Sequence, residues 1–174
     1  MADTIALMLD ARIEAHGSPA DFYTAPATLQ AARFFGATNE IPGALAGTVF
    51  TCALGRLEVA PGGRDGPGLL LVRPEALRLG IGRSDFDERP NTLRGKVIDV
   101  QFRGAHQTVR VRLSGRVSVT VTVASALHLD ADDEIVVQLP PAACRVFEMA
   151  PDRVRDDGSS PSAQPTSNRE RSRA

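Results

Sequence analysis

Residues 92–124 read TLRGKVIDVQFRGAHQTVRVRLSGRVSVTVTVA. Three valine-rich runs of strand-like periodicity, near 93–102, 107–113 and 117–123, are separated only by short breaks carrying Gly or Ser, which predicts consecutive strands of a β domain. Working outward, similar short runs lie near 46–53, 56–60, 68–73 and 77–80 on one side, and near 134–139 and 144–149 on the other. Residues 60–67 and 82–91 are polar and carry Gly or Pro, so they read as loops, and 125–129 reads as one helical turn. Two successive groups of short strands suit a small barrel built from two half-sheets.

The pattern changes before residue 43. Ile5 to Leu9 is an almost uninterrupted apolar run, answered after Asp10 and Ala11 by Arg12 to Ala15, which predicts a tight hairpin buried on both faces. Ser18 suits a helix N-cap, Pro19 the first helical position and Asp21 the positive end of a short helix. A second helix is expected over residues 27–35, ended by Gly36, with a linker over 39–42. Residues 151–174 hold Asp, Arg, Ser, Pro and Gln with Val154 as the one large aliphatic side chain, a composition that predicts disorder. The division expected is therefore 1–42, 43–150 and 151–174.

A chain of 174 residues holds one ordinary domain, or a small domain with an appendage and a tail. With 20 basic against 21 acidic side chains, the net charge of −1 lacks the excess that draws a protein to nucleic acid or anionic lipid. There is no tryptophan to stack bases, so nucleic acid is not the expected partner. Cys52 and Cys144 are too few and too far apart for a zinc pattern and read as free, buried thiols. His16, His106 and His128 sit in separate contexts with no ligand at metal spacing, and no Ser-His-Asp grouping can be assembled. No apolar stretch approaches the roughly 20 residues needed to span a bilayer, and the reading is a cytosolic protein.

Several phrases then resemble one family. Ala2-Asp3-Thr4-Ile5-Ala6-Leu7-Met8, Arg12-Ile13-Glu14 and Gly17-Ser18-Pro19 with Tyr23 and Pro26 resemble a passage in which an "ADRI" strand leads to G-T/S-P and Y-x-x-P. Phe34-Phe35-Gly36 with Asn39 and Gly43 resembles the F-x-G-x-x-N-x-x-x-G passage after it. Val72-Arg73-Pro74-Glu75 resembles the "RPE" signature of a transport-associated OB domain, and Gly95 to Gly104 resembles the opening of its second half. The family is the ATP-binding subunits of ABC importers for polyamines, ferric iron, sulfate and sugars. Thr4 replaces the Arg of its "ADRI" phrase, and Ala11 stands where its hairpin commonly has glycine.

The resemblance implies a mainly β fold, with an OB-like barrel preceded by a hairpin and two short helices that belong in the family to the nucleotide-binding domain. Asp3, Gly17, Pro19, Tyr23, Pro26, Gly36, Asn39, Gly43, Arg73, Pro74, Glu75, Gly95 and Gly104 are the motif positions, and their expected role is shape rather than catalysis. The single Gly-Lys pair, Gly95-Lys96, is followed by Val97 where a phosphate loop needs Ser or Thr. The expectation is a regulatory end that does not hydrolyse ATP, with no catalytic, metal or cofactor residues of its own, ATP and Mg serving the full-length family. Implied partners are a twin copy or another ATP-binding subunit, the membrane permease subunits and a small-molecule regulator, at the cytoplasmic face of the plasma membrane. The alternatives are a free-standing module for a small oxyanion and a gene fragment without a function of its own.

Overall fold

In the computed structural model, residues 3–149 are described apart from positions 10, 37, 83 and 84. The tail assigned to disorder lies outside the described residues. The N-terminal arm consists of strands β1 (Ile5–Leu9) and β2 (Arg12–Gly17) and helices α1 (Pro19–Thr24) and α2 (Leu29–Phe34). Ala11 adopts φ 59° in the turn between β1 and β2, the left-handed conformation that glycine takes more readily. Ser18 and Asp21 form a reciprocal capping box: the Ser18 hydroxyl accepts from the Asp21 amide at 3.2 Å, and the Asp21 carboxylate accepts from the Ser18 amide at 3.3 Å. The second helix begins two residues later than the spacing predicts, because Thr28 is its N-cap and accepts from the Ala31 amide at 3.1 Å.

Burial of the hairpin on both faces does not hold. Leu7, Phe22 and Ala31 are buried together, flanked by Ile5, Ala15 and Phe35, so the helices cover one face. Phe22 stacks on Phe35 with ring centroids 4.8 Å apart. The other face stays open, with Met8 63% and Ile13 65% exposed as paired neighbours. Alternation separates Leu7 from Met8 on β1, and a bulge in β2, where the register shifts between Leu7 and Met8, turns Ile13 to the open face although Ala15 two residues on faces the helices.

The β domain is built from β3 (Asn39–Ala46), β4 (Val49–Cys52), β5 (Gly55–Glu58), β6 (Gly66–Val72), β7 (Arg78–Gly80), β8 (Thr92–Arg103), β9 (His106–Arg112), β10 (Ser118–Ala124), β11 (Glu134–Gln138) and β12 (Arg145–Glu148). One five-stranded sheet has the order β12-β6-β3-β4-β5 and the other β10-β9-β8-β11-β7, all pairs antiparallel. The second sheet curls until β10 approaches β7, giving the OB-like barrel. Ile41, Phe50, Leu57 and Leu70 from the first sheet share one core with Val97, Val109, Val121 and Val137 from the second.

Two boundaries differ from the reading. Residues 39–42 are not a linker but the first half of β3, since Asn39 and Ile41 alternate into the interior. The run 46–53 is not one strand, because Gly47 at φ 61° turns the chain between β3 and β4. Residues 125–129 form a turn without helix. Among the described residues no helix is long and apolar enough to cross a membrane.

Candidate functional site at the junction of arm and barrel

Strand β6 ends at Val72, and Pro74 then opens a single 3-10 turn, Pro74–Ala76. Arg73 is held extended between them and is only 8% exposed. Its Nε donates to the Tyr23 carbonyl at 3.3 Å and its Nη2 to the Ala32 carbonyl at 3.4 Å, so one guanidinium from the barrel fastens both helices of the arm. The same guanidinium lies over the Tyr23 ring, 4.1 Å from its centre. The Tyr23 hydroxyl donates to Glu75 Oε1. Burial first, then the bond to Glu75 and its charge, raise the Tyr23 phenol above its ordinary pKa, while the Arg73 charge opposes them. Gly36, at φ 143°, leaves room for the guanidinium: a Cβ there would stand 3.2 Å from Arg73 Nη1. A bidentate pair between Arg33 of α2 and Glu40 of β3, at 2.7 and 2.6 Å, braces the crossing.

Tyr23, Pro26, Gly36, Arg73 and Glu75, drawn from segments about fifty residues apart, therefore meet at one place. Tyr23, Pro26, Arg73 and Glu75 also line a cavity of about 250 Å³, which Gly36 does not. The remaining motif positions lie elsewhere. Gly17 ends β2, Pro19 is the first residue of α1, Pro74 is buried at the 3-10 turn, and Gly104 at φ 80° closes the turn from β8 to β9. Asp3 is exposed and makes no hydrogen bond or ion pair among the described residues.

Asn39, Gly43 and Gly95 belong to a second device. Asn39 is 7% exposed; its Nδ2 donates to the Thr120 carbonyl at 2.8 Å and its Oδ1 accepts from the Thr120 amide at 2.6 Å. The side-chain amide thus acts as a backbone partner for β10, the outer strand of the other sheet. Asn91 does the same for β5, bonding both the amide and the carbonyl of Glu58 at 2.7 Å and adding the Leu139 carbonyl at 2.9 Å. Each asparagine precedes a glycine by four positions. A Cβ on Gly43 would meet the Phe50 ring at 2.6 Å, and one on Gly95 would meet Val111 at 2.7 Å and the Arg112 carbonyl at 2.8 Å. Sequence reasoning missed Asn91, although the repeat of Asn-x-x-x-Gly at 39–43 and 91–95 is a signal for it.

On the second sheet, Arg94, Lys96 and Arg112 line a groove of about 480 Å³ together with Gly95, Ser114 and Glu134. Cys52 and Cys144 are free; burial pushes the Cys144 thiol up to about 12 and raises that of Cys52. Among the described residues no group of three or more His, Cys, Asp or Glu side chains could hold a metal ion.

A family model of the TOBE domain matches residues 70–147. Curated relatives include a sulfate/thiosulfate import ATP-binding protein, CysA 2 of Chromobacterium violaceum, 30% identical over 84% of this chain and 42% of its own length. The Fe(3+) ions import ATP-binding proteins FbpC of Streptomyces avermitilis and Serratia marcescens are 35% and 31% identical over 64% and 65% of this chain, and 30% and 31% of their own. The chain spans about a third of the length of these relatives. A solved structure of the cytoplasmic molybdate-binding protein ModG superposes on 63% of this chain and 94% of its own, with a TM-score of 0.49 and 13% identity. Residues 70–147, from the inner strand β6 that leads into Arg73 to the last strand of the barrel, are a TOBE domain, and over the matched stretch the chain is a homologue of the ATP-binding subunits of ABC importers.

Proposed function

We propose that this chain is the regulatory and dimerisation region of an importer's ATP-binding subunit, with the barrel that begins at Asn39 as the regulatory part and the hairpin and helices before it as the arm that couples it to the nucleotide-binding part. The observation that carries the reading is the Arg73 guanidinium, which ties the barrel to the carbonyls of both arm helices. A junction of that kind transmits a displacement of one part to the other, because breaking it leaves a buried charge without acceptors. In this reading the chain does not turn over ATP alone, works beside a twin copy and membrane permeases at the cytoplasmic face, and does not select the cargo, whether polyamine, ferric iron, sulfate or sugar.

The test is a chimera in which this chain replaces the matching stretch of the Streptomyces avermitilis relative. ATP-dependent ferric uptake by the chimera, reduced when Arg73→Met is introduced while the protein stays abundant and folded, is the expected result. A folded, abundant chimera without uptake argues against the assignment. A second reading, a free-standing oxyanion module, is favoured by one observation: Arg94, Lys96 and Arg112 share a groove with a single carboxylate, Glu134. Calorimetry with sulfate and molybdate separates the two readings, since only the second requires tight binding by the chain alone.

A further inference from the structure

The half-open cavity at the junction is a different place from the basic groove and has a different chemistry. Its apolar wall comes from three directions: Pro26 from the arm, Leu71 from β6, and Ala76, Ala142 and Ala143 from two 3-10 turns. Small side chains on those turns are what leave the space open. Its polar groups are unevenly balanced, two guanidiniums against one carboxylate. Arg73 uses Nε and Nη2 on backbone carbonyls, and its Nη1 is buried without an acceptor among the described residues. Arg145 stands on β12 opposite Leu71, exposed, and its side chain makes no ion pair or hydrogen bond among the described residues. The carboxylate, Glu75, already accepts from Tyr23.

We propose that this cavity binds a small organic monoanion, an apolar body carrying one carboxylate, with Arg145 taking the carboxylate and the alanine-lined wall taking the body. The charge balance of two cations against one anion selects a single negative charge. The apolar wall selects against a fully hydrated inorganic ion, which would lose its water without replacement there. A planar carboxylate matches the fork of a guanidinium in two parallel hydrogen bonds. Because the ligand touches the arm through Pro26 and Tyr23 and the barrel through Leu71 and Arg145, its occupancy clamps the two together. The site follows from this geometry alone and stands apart from the importer reading.

The experiment uses the whole chain and benzoate as the probe. Tyr23 is the single tyrosine and there is no tryptophan, so intrinsic fluorescence reports this cavity and nothing else. Benzoate is expected to change that fluorescence saturably at millimolar concentration and to raise the melting temperature. Arg145→Gln, at an exposed position, is expected to weaken the response about tenfold. Ala143→Leu, which fills the cavity, is expected to abolish it, with circular dichroism showing that both variants fold. The proposal is overturned by no benzoate response in the unaltered chain, by undiminished binding in folded Ala143→Leu, or by equal affinity for benzyl alcohol or inorganic phosphate. Uptake by the chimera is a separate readout, so either idea can fail without the other.

Discussion

Tyr23 is where a single proton reports the state of the junction. Its phenol lies against Arg73 and donates to Glu75, and its pKa is raised above 10.0 chiefly by burial. A folded-state pKa above the unfolded value means that the group's contribution to stability is complete below pH 10 and is lost as pH rises through the folded value. Tyrosinate absorbance in the native chain should therefore appear only above the ordinary value and should accompany loosening of the arm. Glu75→Gln removes the negative charge beside the phenol and should bring the midpoint back toward 10.0; a native midpoint at or below 10.0 would contradict the geometry. The Arg-Pro-Glu run was legible as a motif with a shape role rather than a catalytic one. What it anchors was not, because the acceptors are carbonyls of Tyr23 and Ala32, and backbone atoms carry no residue identity.

Among elements, the decisive contacts are those that seal outer strands. Asn39 on β3 pairs with Thr120 on β10, and Asn91, in the turn just before β8, with Glu58 on β5, so each of these outer strands is closed by an asparagine side chain. Alanine at either position leaves an amide and a carbonyl of an outer strand without their partners and should lower stability by about 1–3 kcal/mol, read from urea midpoints. Gly95→Ala pushes a methyl group into Val111 and the Arg112 carbonyl, and should destabilise by about 1–3 kcal/mol through overpacking. Unchanged midpoints in all three variants would sink this account of the sheet pair. The strands themselves were readable from valine alternation over 92–124, and the structure places β8, β9 and β10 within two residues of that reading. The asparagine clamps were not readable, since the partners lie 81 and 33 residues away.

For the whole molecule, the arm and the barrel have separate cores of very different size, three buried residues against nineteen. Two helices of six residues each are too short to hold themselves, so the arm depends on its small core and on the junction. Hydrogen exchange should therefore release amides of β1 well before those of β8, and Arg73→Met should widen the gap; equal protection of both strands would contradict it. Sequence alone determined the succession of hairpin, two helices and β domain, the capping of α1 by Ser18, the β character from residue 43 onward and the resemblance to importer subunits, because caps, turns and strand periodicity are local properties of the chain. Only the tertiary structure decided that 39–42 is strand, that one face of the hairpin stays open, and that Tyr23, Arg73 and Arg145 converge on a cavity. Those outcomes depend on which surfaces meet, and contacts between segments fifty or eighty residues apart leave no periodic mark in the chain that makes them.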